Sequence, residues 1–353
     1  MTIEELLINA KEHKASDVHI TVGLPPKMRV NGTLIDMDYP RLLSADTAEI
    51  IGSIMDARRM KRLEELGEVD FSYSIPQEGR YRVNVFHQRG SMAAAIRLVS
   101  ESIPLPEELG IPDSVIDLYR KKRGLILVTG PAGSGKSTTL ASIIDKINSS
   151  IEAHIITLED PIEYMHKHKK AMVNQREIGI DTGSYPNALR AAMREDADVI
   201  MVGEMSDLDT ISTAITAAEK GHLVLSTLHT IGAASTIERI VDVFPPHHQQ
   251  KIRIQLSMVL EAVISQQLIP TADRKSRVAA FEVMHSTPAV KNLIREAKTS
   301  QINSTIQNGK NAGMQTMDDA IYDLYMKGEI NRENADIYAQ DSNYMEKRIE
   351  SAF

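Results

Sequence analysis

Gly130-Pro131-Ala132-Gly133-Ser134-Gly135-Lys136-Ser137-Thr138 follows directly on the apolar run Leu125-Ile126-Leu127-Val128. The segment fits the pattern G-x-x-x-x-G-K-[ST] at every fixed position. Glycines let backbone N–H groups crowd around phosphate oxygens, Lys136 reaches the β- and γ-phosphates, and the Ser137 hydroxyl is placed for Mg²⁺. The apolar run reads as a strand and Leu140-Ala141-Ser142-Ile143-Ile144 as a helix, whose dipole adds positive potential at the same point. The segment from Gly130 to Thr138 is therefore read as a site for ATP or GTP with Mg²⁺.

Three further groups of side chains have the types needed to work on a bound triphosphate. Glu204 follows Gly203 at the end of the apolar stretch 199–202; it would orient or deprotonate an attacking water, or hold Mg²⁺ through water. Glu159, Asp160 and Glu163 crowd around Pro161, and such a cluster suits a hydrated Mg²⁺. His222 and His229 flank the stretch 223–227, where a neutral imidazole can sense a γ-phosphate or anchor a glutamate. Arg190 and Arg194 sit four apart in an expected helix over 187–194, and Arg239 lies in another over 233–241; guanidinium groups neutralise charge on a transferring phosphoryl group. Asp198 precedes its strand, and five residues at about 3.3 Å each put it roughly 16 Å from the phosphate edge, so it is assigned to strand entry.

Those groups need a common platform, and the alternation of apolar strands with helical segments from Val115 onward supplies one, a parallel sheet covered by helices. Strands are expected at 125–129, 155–158, 199–202 and 223–227, with a weaker one at 279–284 and mainly helix over 288–349. In an open α/β sheet ligands gather beyond the carboxyl ends of the strands. Four of these strands end at the Gly130–Thr138 loop, the acids 159–163, Glu204 and His229, one edge of one sheet.

The first hundred residues read as a separate α+β unit. Its expected elements are a helix over 3–13, strands at 18–21 and 27–30 with a turn at Asn31-Gly32, and a helix over 45–66. Strands at 69–75, 80–88 and 91–98 follow, joined at Gln77-Glu78-Gly79 and Arg89-Gly90. Three prolines in 101–113 disfavour helix, and that stretch reads as a linker to a second domain over 114–353. His166-Lys167-His168-Lys169-Lys170 reads as a solvated loop, and His247-His248 as a helix start.

Composition narrows the classes. A formal charge of −8 with 4% aromatic residues and no Trp argues against a nucleic-acid track, so no nucleic acid is expected as partner. The absence of cysteine removes disulfides, thiolate metal sites and cysteine nucleophiles, and fits a reducing compartment. No apolar stretch approaches a membrane span and the N-terminus lacks the regions of a signal peptide, so the chain is expected in the cytoplasm.

Taken together these residues resemble the secretion and pilus motor ATPases, and among them the motors of type IV pilus retraction. The resemblance is carried by Ala15-Ser16-Asp17-Val18-His19-Ile20, by Gly79-Arg80-Tyr81-Arg82-Val83-Asn84, and by Thr157 to Tyr164 as an acidic box. Val202-Gly203-Glu204-Met205 is similar to a Walker B element, and Gly221-His222-Leu223 with Thr227-Leu228-His229-Thr230 to a histidine box. It implies an N-terminal PAS-like α+β domain joined by a flexible linker to a RecA-like P-loop ATPase core, assembled as a homo-hexamer. Glu204 would then be the catalytic glutamate, Glu163 the partner of Mg²⁺ and water, and His222 and His229 nucleotide-state contacts, with Arg190, Arg194 and Arg239 near the γ-phosphate. Implied partners are an inner-membrane platform protein and the pilus base, with peripheral association at the cytoplasmic face through them.

Extension and type II secretion motors typically add an N-terminal domain and often a four-cysteine zinc motif, whereas this chain starts at the PAS-like unit and has no cysteine. Ala289-Val290-Lys291-Asn292-Leu293-Ile294-Arg295-Glu296 resembles a segment associated with retraction motors. These features favour retraction over a type II secretion or conjugation motor, and over a non-hydrolysing nucleotide-dependent switch. One position departs from the pattern: the family commonly has Arg after Gly-Glu-Met, and here Ser206 stands there.

Overall fold

Buried and exposed side chains alternate along Glu68–Ile75 and Gly79–Gln88, with Val69, Phe71, Tyr81, Val83 and Val85 turned to the core. That period of two marks an antiparallel sheet with one covered face. In the computed structural model, which describes residues 1–30, 32–76, 78–99 and 102–351, the sheet has six strands. They are β1 (Asp17–Ile20), β2 (Lys27–Val30), β3 (Thr33–Asp36), β4 (Glu68–Ile75), β5 (Gly79–Gln88) and β6 (Ser91–Leu98), in the order 3-2-1-6-5-4 and antiparallel throughout. Helix Ile3–Glu12 opens on a capping box between Thr2 and Glu5 and buries Ile3, Leu6, Leu7 and Ala10 in the core of this unit. Asn31 of the expected first turn, Gln77 of the second and Glu101 of the expected linker lie outside the described residues.

The single helix expected over 45–66 is two, Ser44–Gly52 and Ala57–Leu66. Gly52 is a poor helix former, and the Asp56 carboxylate caps a new start by accepting from the Arg59 amide at 2.8 Å. By its contacts the chain forms one unit of Met1–Ser102 with Glu163–Met165, and a second of Ile103–Ile162 with His166–Phe353. Residues 103–113 therefore belong with the second unit: Pro104 O accepts from the Ser142 hydroxyl at 2.8 Å, and Ile111 is buried beside Val115 and Ile116.

The second unit is a seven-stranded sheet of β7 (Gly124–Thr129), β8 (His154–Glu159), β9 (Met172–Glu177), β10 (Val199–Val202), β11 (Leu223–Leu228), β12 (Leu260–Pro270) and β13 (Arg277–His285). Its order is 13-12-7-11-10-8-9, parallel except for the antiparallel edge strand β13. Every residue of β7, β10 and β11 is buried, as strands with both faces covered require. Leu125 and Leu127 join one core layer, Ile126 and Val128 the other.

Three strands escape the sequence reading, and one is β3, an exposed four-residue edge strand paired with β2. Strand β9 is a polar edge strand, and β12 continues straight out of helix Pro246–Val259, where an unbroken apolar pattern does not separate helix from strand. Among the described residues no helix is long and apolar enough to cross a membrane.

Candidate functional site

Parallel pairing aligns the carboxyl ends of four adjacent strands. Thr129 of β7 pairs with Leu228 of β11, Ser226 with Val202 of β10, and Val202 with Leu158 of β8. Neighbouring strands lie about 4.8 Å apart, so the loops leaving β7 and β10 start roughly 10 Å from each other with β11 between them.

The loop leaving β7 is shaped around Gln266 of β12, which is 3% exposed. Gly130 has φ +144°, and a Cβ there would fall 2.2 Å from Gln266 O and 2.7 Å from Ser134 Oγ. Only glycine fits, in conformation and in space. The Gln266 side chain reaches round the loop, where Oε1 accepts the Thr139 hydroxyl at 2.7 Å. Lys136, 7% exposed, holds its ammonium on the loop, donating to Gly130 O at 2.8 Å and Pro131 O at 2.9 Å. Helix Lys136–Ser150 starts at Gly135 with no side-chain cap, the kind of helix end at which phosphate binds. Gln266 is the site residue that sequence reasoning missed, because its strand was not expected; the polar Ser265-Gln266-Gln267 inside an apolar run is the signal that points to it.

The loop leaving β10 is fastened on both sides. Gly203 N donates to Leu158 O at 2.8 Å, the Thr227 hydroxyl donates to Gly203 O at 2.6 Å, and Met205 N donates to Thr227 O at 3.1 Å. A Cβ at Gly203 would lie 2.8 Å from the Tyr185 hydroxyl oxygen. Between these anchors the Glu204 side chain is 44% exposed, with His229 Nε2 3.3 Å from Oε2 and the Ser206 hydroxyl donating to Oε1 at 2.6 Å. His229 and Glu204, expected at one sheet edge, are thus in contact.

Other expected members lie elsewhere. His222 is at the entry of β11, seven residues before His229 and roughly 20 Å away along the strand. Its Nδ1 is 2.7 Å from Ala197 O; a carbonyl only accepts, so Nδ1 carries the proton and the ring locks strand entry. Asp198 does the same work beside it, its carboxylate accepting from His154 N at 2.8 Å. Helix Tyr185–Ala192 ends before Arg194, so Arg190 and Arg194 do not share a helix face as expected. Arg190 is exposed on that helix and donates to Asn187 at 3.1 Å; Arg194 is exposed in the turn that follows. Arg239 is exposed in the last turn of helix Ala233–Asp242, roughly 9 Å along the axis from its start.

The acidic box is divided. Glu159 is buried and bound internally, its Oε1 accepting the Thr157 hydroxyl at 2.5 Å and Gln175 Nε2 at 3.0 Å, while Glu163 groups with the first unit. The basic stretch 166–170 is less solvated than expected: His166 is buried, and Asn148 pins the loop through Lys167 O and Lys169 N. His247 and His248 stand in the first turn of helix Pro246–Val259, as read from the sequence.

Residues 1–352 match the family model described as type II/IV secretion system protein. The chain is 48% identical over 335 residues to the type IV pilus retraction ATPase PilT of Pseudomonas aeruginosa, covering 95% of this chain and 97% of that one. It is 47% identical over 320 residues to a twitching motility protein of Neisseria gonorrhoeae, covering 91% and 86%. A crystal structure of the pilus retraction motor PilT with bound ADP superimposes with a TM-score of 0.92 at 50% identity, covering 98% of this chain and 99% of that one.

Proposed function

The chain belongs to the type II/IV secretion system protein family, and from that premise we infer that it is an ATPase motor of type IV pilus retraction, the engine of twitching motility. Its second unit is the RecA-like core. The observation that carries the reading is the contact of Glu204 with His229 on the sheet edge that also bears the phosphate loop.

In this reading the backbone from Gly130 to Thr138 wraps the ATP phosphates, and Lys136 exchanges its loop carbonyls for phosphate oxygens. Glu204 accepts a proton from, or orients, the water that attacks the γ-phosphorus, and His229 holds the second carboxylate oxygen. Among the described residues no group of three or more carboxylate or imidazole side chains could hold a metal alone. That fits Mg²⁺, which takes few protein ligands and keeps phosphate oxygens and water. Ser137 would hold it, with Glu204 through water, and it would supply positive charge that stabilises the negative charge developing on the transferred phosphoryl group.

Arg190, Arg194 and Arg239 face solvent, which is compatible with contact to a neighbouring subunit's nucleotide in a homo-hexamer, whereas His222, held on Ala197 O at strand entry, keeps a structural role. Residues 1–100 would be the PAS-like domain, and hydrolysis would turn it relative to the core about the connection between the units at Ser102 and Ile103. The ring would act at the cytoplasmic face of the inner membrane on a platform protein at the pilus base. Steady-state phosphate release tests the reading: wild type turns over and Glu204→Gln does not. Equal, near-zero rates in both would overturn it.

A further inference from the structure

We propose that Ser206 is a positioning residue for Glu204, a role that rests on reading Glu204 as the base. The backbone on either side of Glu204 is fixed, by Gly203 on Leu158 and by Met205 on Thr227, with Met205 fully buried. The side chain is not fixed by packing: at 44% exposed it keeps its rotamers, and ordering it costs side-chain entropy. Two contacts hold it. His229 is itself 54% exposed and lies 3.3 Å away, whereas the Ser206 hydroxyl donates at 2.6 Å from two residues along the same loop.

Ser206 has a firm footing. It stands between buried Met205 and Asp207, the N-cap of helix Leu208–Glu219, whose carboxylate accepts from Thr210 N at 2.9 Å. A short side chain on a backbone clamped at both ends places its hydroxyl with little freedom, so the bond sets the direction of the carboxylate. Two donors occupy two of about four lone-pair directions of a carboxylate, which leaves acceptor capacity for a water proton. A serine here gives a neutral, local latch where the resemblance implied a long cationic side chain.

The test is phosphate release against ATP concentration for the full-length protein and for Ser206→Ala, Ser206→Thr, Glu204→Ala and the double variant, with single-turnover measurements for slow forms. Ser206→Ala lowers kcat roughly three- to tenfold, the rate equivalent of one net hydrogen bond, while KM for ATP and the affinity for ADP stay unchanged. Ser206→Thr keeps the hydroxyl at an exposed position and restores most of the rate. On the Glu204→Ala background, where the acceptor is gone, Ser206→Ala adds no further loss. An unchanged kcat in Ser206→Ala, an equal loss in Ser206→Thr, or the same factor on both backgrounds overturns the inference and leaves the base reading standing. Wild-type turnover in Glu204→Ala overturns the base reading itself, and the role of Ser206 with it.

Discussion

Gln266 accepts the Thr139 hydroxyl at 2.7 Å, so a buried residue of β12 holds the first turn of the helix that begins at the phosphate loop. Its carbonyl oxygen lies against Gly130 at the start of the same loop, which makes one residue the template for both ends of the cradle. Replacing Gln266 with Ala leaves the Thr139 hydroxyl buried without its acceptor, a cost of about 1–3 kcal/mol. Calorimetric titration with ADP is expected to show binding weakened roughly tenfold, the equivalent of about 1.4 kcal/mol. Wild-type affinity in the variant would remove Gln266 from the binding machinery.

Gly203 allows Tyr185 to pack against the loop that carries Glu204, with only 2.8 Å available between an added Cβ and the tyrosine oxygen. Gly203→Ala must displace one or the other. A shift of about 1 Å in a catalytic group costs on the order of a hundredfold in rate. The expected result is a fall of that order in kcat for Gly203→Ala, partly recovered in Gly203→Ala/Tyr185→Phe, where the offending oxygen is absent. A double variant no faster than the single one would show that the clash with Tyr185 is not the cause.

These two residues also show what the sequence discloses and what it withholds. Gly203 and Glu204 were legible because a short apolar strand ends on them, and position at a strand end is a local property. Gln266 was not, because its role comes from pairing β12 beside β7, a contact between segments distant in the chain. The histidines divide in the same way. Both flank β11, but the direction of the strand puts His229 at the phosphate edge and His222 at the opposite one. Helix ends mattered as well: Arg194 left the face of Arg190 because its helix stops at Ala192.

Asp198 and Glu204 lie at opposite ends of β10, and their substitutions are expected to separate stability from catalysis. Asp198→Ala deletes the acceptor of His154 N at the entry of β8, a solvent-exposed bond, and should lower unfolding free energy by about 0.5–1.5 kcal/mol. Its turnover per folded molecule should match wild type, because the phosphate edge is about a strand length away. Denaturant melts paired with phosphate release decide this; a large loss of kcat at unchanged stability would place Asp198 in the chemistry.

His166 carries a pH dependence that the site residues do not explain. Burial holds its imidazole at a pKa of about 4, against the ordinary 6.5, with Asp145 pulling it up and Lys169 pushing it down. The folded protein therefore keeps His166 neutral where the unfolded chain would protonate it. The unfolded state binds the extra proton between pH 6.5 and about 4, so stability is full above that window and falls as pH drops through it. The loss at the bottom is on the order of 3 kcal/mol, from about 1.4 kcal/mol per unit. Urea titrations at pH 7, 5.5 and 4.5, values chosen at about the two ends and middle of the window, should show a shallower decline in His166→Gln than in wild type. Parallel declines would mean that other groups, and not this buried histidine, set the acid limit of the fold.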